Sequence, residues 1–556
     1  MIYDICIIGT GAGAGPIAYE MALSGKKVVM LEKGPWIKTD EFTKDEMVAT
    51  RRHVYTPNPM DEPQVIEQKN ALGAWEAQST YKSGANFWNG SVVGGSSNFM
   101  SGYFARLKPK DFKLLSAYGE IEGANMVDWP ISYNDIEPFY TKTEHLVGIS
   151  GKVVPHAHLE PRSTSDFPFP PLAEHPVSSW LDLAAQELNY ELLPLPRAIL
   201  SRNSQNRRAC SYSNYCGSYG CATDAKGSSR AALLHEAIKS GNCKIIPNAK
   251  AFFLETNGKG KVIKAWYYFG KEKKSIEAQI FVVAAQAIES CRLLLMSKNK
   301  DFPKGLANNY GQVGKNLIFS GGGIGSGNFL FRDFSDAQIN QLKVNGLFIN
   351  RTLQQWIEYP DPENGRIMKG GSVDFLFEHA NAISKAIKQK WGKNQELIYG
   401  SDLKNKISFY FKQQRKLNFE VFTDWLPTDN CFVQLSGHVS DKWGDPVAHI
   451  RIDSHPQNQK TGRFIANKAE ELLRRAGAKN VSSNINGSAP SNLQAGGCRF
   501  GNKPENSVLD INCKAHETEN LYVTDGSFMP TGGSVPLTWT IYANSFRVAN
   551  HLKNII

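Results

Sequence analysis

At 556 residues, with 41% hydrophobic and 21% charged side chains, the chain has the make-up of a globular protein of roughly two to four domains and excludes a disordered, collagen-like or coiled-coil polypeptide. Its formal net charge of +10 is mild for this length, and the basic residues are scattered apart from patches such as Lys271–Lys274 and Lys385–Lys393; a solvated surface accounts for them, and no nucleic-acid partner is expected. Nine cysteines are too few for a disulfide scaffold, and no apolar run reaches about 18 residues, so no transmembrane segment is expected.

Ile5–Ile8 is a short apolar run that leads directly into Gly9-Thr10-Gly11-Ala12-Gly13-Ala14. Gly9 permits a sharp turn, Gly11 lets the backbone approach a pyrophosphate, and the small Ala14 lets the next helix pack on the sheet. A helix from about Pro16 to Ser24 aims its N-terminus at the phosphates. Lys27–Leu31 reads as a second strand, and Glu32 at its end is placed to accept hydrogen bonds from ribose hydroxyls. Strand, glycines, helix, strand and acid in that order predict a dinucleotide site. No signal peptide is expected, because the first apolar stretch is this strand, with only Met1–Asp4 before it. A cytoplasmic location is therefore expected, with co-export to the periplasm beside a signal-bearing partner as the alternative.

Residues 41–85 are polar and read as loop. Val92-Val93-Gly94-Gly95-Ser96-Ser97-Asn98 is a glycine and serine turn after an apolar pair. Residues 133–147 form an amphipathic helix with Ile136, Phe139, Tyr140 and Leu146 on one face, and 160–176 are a proline-rich loop. Ser228–Lys239 is helical. Lys244–Ile246, Ala251–Glu255 and Lys261–Phe269 read as three strands of a meander. Ile280–Ala285 is a buried strand ending in small residues, followed by a helix over Ile288–Ser297. Alternating patterns in 303–490, such as Ile407–Phe411 and Asn418–Phe422, predict a second domain on a mostly antiparallel sheet. Leu521–Val523 returns as a strand, Asp525-Gly526-Ser527 follows, and a helix runs from about Thr538 to Leu552, so the first domain is closed by the C-terminus.

These landmarks together resemble the glucose–methanol–choline (GMC) oxidoreductase family of flavoproteins. The likeness runs nearly the whole chain. Besides the N-terminal fingerprint and Gly94-Gly95-Ser96-Ser97, it includes Arg106 and Asp111, Trp129-Pro130-Ile131-Ser132-Tyr133, Phe139–Glu144 with Gly148, and Val313-Gly314-Lys315-Asn316-Leu317. It continues through Asn430, Val433, Leu435, Asp441, Trp443, Gly444 and Pro446. The most specific stretch is Gly496-Gly497-Cys498-Arg499-Phe500-Gly501 with Ser507–Asp510 and Asn520–Ser527. The resemblance implies an α/β plus α+β fold. A discontinuous, Rossmann-like FAD-binding domain (1–150, 205–302 and 490–556) would carry a substrate domain (151–204 and 303–489) whose antiparallel sheet roofs the flavin ring. It implies FAD rather than NAD, held by Gly9, Gly11, Gly13, Ala14, Glu32, Gly94, Gly95, Ser96, Asn98, Asp525 and Gly526. It also implies oxidation of an alcohol, polyol or sugar hydroxyl by hydride transfer to flavin N5, with electrons passed to an acceptor other than NAD and a dehydrogenase favoured over an oxidase. Some relatives tether FAD through a histidine in the segment matching Asn98-Phe99-Met100-Ser101; none stands here, so FAD is expected to be non-covalent.

The chain departs from the family pattern where the chemistry is done. The positions of the usual catalytic His and of its His or Asn partner are Leu493 and Pro536. Neither side chain can accept a proton. Asn492, His379 and His438 are the candidates for an imported base. The alternatives are non-standard flavin chemistry (light-driven, isomerase or lyase) and a catalytically silent FAD-binding protein. Gln494, Arg499 and Trp539 are expected near the flavin in each case, because the flanking motifs are intact.

Cys210, Cys216 and Cys221 lie in a loop rich in Ser, Tyr, Asn and Gly. Soft thiolates converging on one point suit an iron–sulfur cluster, and the resemblance places a 3Fe–4S cluster on such a loop in membrane-coupled sugar dehydrogenases, with a cytochrome c and a small accessory subunit as partners. Free thiols, or a disulfide or other metal, are the competing readings. Cys6, Cys243, Cys291 and Cys431 read as buried apolar residues, as does Cys498.

Overall fold

The computed structural model describes residues 2–556 apart from 52–54, 84–86, 88, 205, 259, 364 and 393, with the backbone alone at 49–51. A seven-stranded sheet carries both ends of the chain. Its order is Cys243–Ile246, Val28–Leu31, Tyr3–Ile8, Glu272–Val283, Val262–Phe269 and Ala249–Thr256, with Leu521–Val523 pairing Glu272–Val283 from its other edge. The pairs around Tyr3–Ile8 are parallel, with Ile5 opposite both Val28 and Ile280, and Leu521 opposite Phe281. Strands covered by helices on both faces need apolar side chains throughout, which is why Ile5, Cys6 and Ile7 are wholly buried. The helices Gly15–Leu23 and Tyr133–Thr143 both pack on the C-terminal helix Thr538–Lys553.

Buried ion pairs lock this packing. Arg106 gives Nη1 to Glu137 at 2.9 Å and Nη2 to Glu144 at 2.6 Å, with its guanidinium over the rings of Tyr140 and Trp539. Glu144 also meets Arg162 at 2.7 Å. This explains why Arg106 belongs to the pattern read from the sequence: it ties the first domain's loop to two helices.

A second sheet of six strands is antiparallel throughout. Its order is Lys479–Asn484, Gly323–Leu330, Gln414–Thr423, Gly371–Phe377, Arg351–Leu353 and Leu192–Pro194. Val373, Phe375, Leu417, Phe419 and Val421 pack on Ile465, Ala466, Ala469 and Leu472 of the helix Pro456–Arg475. The two-residue period then turns Ser372, Asp374, Leu376, Glu420 and Phe422 to the other face. That face looks at the first domain: Ser372 Oγ donates to Ser534 O at 2.7 Å, and Leu376 packs with Tyr103 and Leu195.

Three local readings are corrected. Cys243–Ile246 is no part of the meander; it pairs parallel with Val28–Leu31. Residues 65–79, read as loop, form the hairpin Val65–Lys69 and Trp75–Ser79, which joins Pro446–Arg451 and Phe432–Ser440 in a four-stranded sheet. Its half-exposed strands are rich in Glu, Gln and Lys, which hides the alternation. Ile407–Phe411 is helical, within Gly400–Lys412, where Asp402 in the first turn and Lys412 in the last suit the helix dipole. Phe375, Phe419 and Trp425 are core residues.

Candidate functional site

A cleft partly open to solvent runs along the C-terminal ends of the parallel strands. Gly9, Gly11, Gly13, Glu32, Gly95, Ser96, Asp525 and Gly526 line it, with Gln286 and Met100 between them. The three glycines of the first turn have different jobs. At Gly9, with φ +99°, a Cβ would lie 2.2 Å from Ala284 O, so this glycine lets two strands approach. At Gly13 a Cβ would lie 2.5 Å from Thr524 O and 2.7 Å from Asp525 Cα. At Gly11 a Cβ would meet nothing within 4 Å. The position facing empty cleft is thus the one expected beside a pyrophosphate.

Glu32 sits at the end of Val28–Leu31, accepting from Thr10 Oγ1 and from Gly34 N at 2.8 Å. Burial pushes its carboxyl up to about 7, against the pull of those donors and of Lys33. Asp525 accepts from Gln286 N at 3.0 Å, from Ser527 N at 2.9 Å and from Ser290 Oγ, and burial raises it too. The basic groups along the wall are already paired: Lys33 with Glu62 at 2.7 Å, Lys250 and Arg292 with Asp441 at 2.5 and 2.7 Å. Asn89 Oδ1, on the wall, is buried without a hydrogen-bond partner among the described residues.

Three residues assigned to the cofactor do not reach the wall. Ala14 is buried between helix and sheet. Gly94, at φ +93°, would press a Cβ to 2.7 Å of Arg230 Cβ and Asn98 Nδ2, so it shapes the turn. Asn98 braces that turn, its Nδ2 donating to Val93 O and Gly95 O at 3.0 Å each. Conversely, sequence reasoning passed over Asn89, Gly90, Met100, Gln286, Thr538 and Ile541, which line the cleft. Only Gln286 had a legible cue, following the Ala284-Ala285 strand end; its φ of +83° lets its backbone N–H turn to Asp525.

At the inner end stand Asn492, Leu493 and Gln494. Leu493 is held in the left-handed region at φ +60°, its carbonyl accepting from Ser320 N at 3.1 Å. A bulky residue there is strained and persists because its surroundings fix it. Pro536 is buried behind this wall and takes no place on it. Of the proposed bases, Asn492 alone lines the cleft. His438 is exposed on the strand Phe432–Ser440, outside the cleft. His379 lies in a separate small cavity, its Nε2 3.5 Å from Ser101 Oγ, and burial pulls it down to about 4, so it is a neutral ring at physiological pH. Gln494 is on the wall, donating to Ser491 O at 2.9 Å, whereas Arg499 turns away to Asn125 O at 3.2 Å and Trp539 is buried against Phe104 and Arg106.

Cys210, Cys216 and Cys221 line one small cavity with Lys226, whose Nζ donates to Met100 O at 3.1 Å. Among the described residues no group of three His, Cys, Asp or Glu side chains is arranged to hold a metal, so the iron–sulfur expectation finds no support here. The three thiols differ instead. Burial pushes Cys210 up to about 12 and raises Cys216. At Cys221 burial is outweighed by the Lys226 ammonium and by hydrogen bonds, and the thiol falls below its ordinary value. Cys498 packs sulfur to sulfur with Cys291 at 3.7 Å, both buried.

Two family models, each described as GMC oxidoreductase, match residues 76–319 and 427–545, between them more than half of the chain. The chain belongs to the GMC oxidoreductase family. It is 27% identical to the 6'''-hydroxyparomomycin C oxidase of Streptomyces lividus, over 99% of this chain and 92% of that one. It is 25% identical to the fructose dehydrogenase large subunit of Gluconobacter japonicus, over 99% and 98%. Its fold matches the crystal structure of pyridoxine 4-oxidase from "Mesorbium loti" with a TM-score of 0.63 at 15% identity, over 99% of both chains. Membership implies FAD. The cleft fits it: the open face of Gly11, the unpartnered Asn89 oxygen and the acid at Glu32 are spaced along one channel. Among the described residues no helix is long and apolar enough to cross a membrane.

Proposed function

We propose that this GMC oxidoreductase binds FAD non-covalently in the cleft and oxidises an alcohol, polyol or sugar hydroxyl, passing the electrons to a protein or quinone-like acceptor rather than to NAD. One observation carries the reading: a single cleft runs from the dinucleotide turn at Gly9, Gly11 and Gly13 to Met100, Asn492 and Leu493. When bound, the flavin supplies a two-electron acceptor for the hydrogen on the carbinol carbon. The chain's own groups do the rest. Gly11 leaves the pyrophosphate its space, Glu32 offers a carboxylate to ribose hydroxyls, and Gln494, tied to Gln286 at 2.6 Å, fixes the inner wall. Leu493 puts an apolar side chain on the inner wall, where it excludes water and strengthens each remaining polar contact. A cytochrome c and a small accessory subunit are the partners we propose; the relation to a protein named as a dehydrogenase large subunit supports partner subunits in general. Anaerobic mixing of the purified yellow protein with a panel of sugars, polyols and alcohols tests the reading: at least one bleaches the flavin band. A flavoprotein that none of them bleaches, though dithionite does, rejects it.

A further inference from the structure

Between the strands Gly371–Phe377 and Gln414–Thr423 the fold stops burying its apolar side chains. Among the described residues of 377–413 none is buried, although Ile383, Ile387, Trp391, Leu397 and Tyr399 follow one another there. The segment has a defined shape. Two helices, Ala382–Lys388 and Gly400–Lys412, are joined by a turn in which Trp391 and Leu397 face each other across an antiparallel bridge. Such a pair brings its Cβ atoms to roughly 5 Å. Ile383 and Ile387, four apart, share one side of the first helix. All of these are exposed, Ile387 to 52%, Leu397 to 57% and Tyr399 to 77%. Polar bonds hold the segment in place. A Glu46 carboxylate accepts from Ile383 N at 2.7 Å and Ser384 N at 2.6 Å, Tyr219 Oη donates to Asn381 Oδ1 at 2.6 Å, and Lys406 Nζ donates to Trp391 O at 2.7 Å.

Its charge is as distinctive as its exposure. Residues 382–412 carry seven lysines, no arginine and two acids, a formal +5 out of the whole chain's +10. Lys385 meets Glu378 at 3.6 Å, whereas Lys388, Lys390, Lys404 and Lys412 pair with no carboxylate among the described residues. A second copy of this chain would set +5 against +5. A protein partner is disfavoured by composition, since protein interfaces gain arginine and lose lysine. Unpaired lysines set among exposed Ile, Leu, Trp and Tyr are instead the make-up of a segment that lies on an anionic bilayer. The ammonium groups stay with the lipid phosphates on flexible stems while the apolar side chains leave water.

We propose that residues 382–412 dock the protein on the surface of a membrane bearing anionic phospholipids. Ile383, Ile387, Trp391, Leu397 and Tyr399 enter the boundary between headgroups and acyl chains, and the four unpaired lysines hold the anionic headgroups. The 13-residue helix is far short of the roughly 20 residues needed to span, so the segment lies on the bilayer without crossing it. At the usual contribution of a lysine near such a surface, four of them favour an anionic over a neutral bilayer on the order of 10²–10³-fold.

Sedimentation of the purified protein with vesicles tests this, using phosphatidylcholine alone and an equal mixture of phosphatidylcholine and phosphatidylglycerol. The native protein should pellet with the mixed vesicles, remain in solution with the neutral ones, and be released as salt rises. Two variants separate charge from insertion: Lys388→Gln with Lys404→Gln and Lys412→Gln, and Ile387→Ser with Leu397→Ser. Every substituted side chain is exposed, so melting temperature and flavin content should stay native. Each variant should bind the mixed vesicles at least about tenfold more weakly. Equal binding to neutral and mixed vesicles, or native binding by either variant, overturns the proposal. A native protein that ignores the mixed vesicles overturns it as well; binding to polyglutamate would then assign the segment to an acidic protein, and dimers in analytical ultracentrifugation to a second copy.

Discussion

Two glycines two residues apart should respond to the same substitution in opposite ways. Gly13→Ala puts a Cβ 2.5 Å from Thr524 O and 2.7 Å from Asp525 Cα, both main-chain atoms behind the strand Leu521–Val523. Neither can rotate aside, so the overlap costs about 1–3 kcal/mol or more, and the melting temperature of the FAD-free protein drops by several degrees. Gly11→Ala meets nothing within 4 Å, and its backbone is outside the left-handed region. The FAD-free fold should hold or gain about 0.4–1 kcal/mol from a stiffer unfolded chain. Its Cβ instead enters the space reserved for the pyrophosphate. Losing one charge-assisted hydrogen bond there costs about 1.5–3 kcal/mol, a roughly 10–150-fold weaker Kd. Differential scanning fluorimetry of the stripped proteins and FAD titration by flavin fluorescence separate the two effects. A Gly11→Ala protein that melts with Gly13→Ala, or that binds FAD as tightly as the native chain, would refute the assignment of the open face to the cofactor.

Three further outcomes follow from single groups. Glu32 binds its proton more tightly folded than unfolded, so the stability it contributes is full below about 4.5 and is lost as pH rises through about 7, at most about 3 kcal/mol; Glu32→Gln should flatten that part of the FAD-free protein's pH–melting curve, and native FAD affinity should strengthen above pH 7, where the carboxylate forms. Arg106→Met leaves Glu144, whose side chain is fully buried, with Arg162 as its remaining guanidinium partner, and should cost about 3–5 kcal/mol in chemical denaturation. Iodoacetamide with peptide mass mapping should label Cys221 ahead of Cys210 and Cys216, and Lys226→Met should remove the preference, because the lysine is the charge that lowers that thiol.

The family and the cofactor cleft were readable before any coordinates because they depend on local rules. A turn that needs φ +99° at Gly9, an unfilled face at Gly11 and an acid ending the next strand must appear at fixed spacing, and they do. The parallel strands were legible for a similar reason: burial on both faces demands an unbroken apolar run. The hairpin at 65–79 and the helix at 400–412 were not: a half-exposed strand of Glu, Gln and Lys takes its conformation from partners distant in the chain, and Ile-Ser-Phe-Tyr-Phe reads as strand alternation although it lies on a helix that buries no residue.

The catalytic question divides along the same line. The amino-acid order alone determined that Leu493 and Pro536 supply no base, because identity at a motif position needs no geometry. That His438 faces solvent and that His379 is a neutral ring in a side cavity are facts of burial, and that Asp374 and Glu420 stand opposite one another is a fact of pairing register. Residues 46 positions apart become neighbours when two strands align, and which face they share depends on a shift of one residue. Local spacing can announce a nucleotide turn; only the assembled sheets bring two distant acids together beneath the same roof.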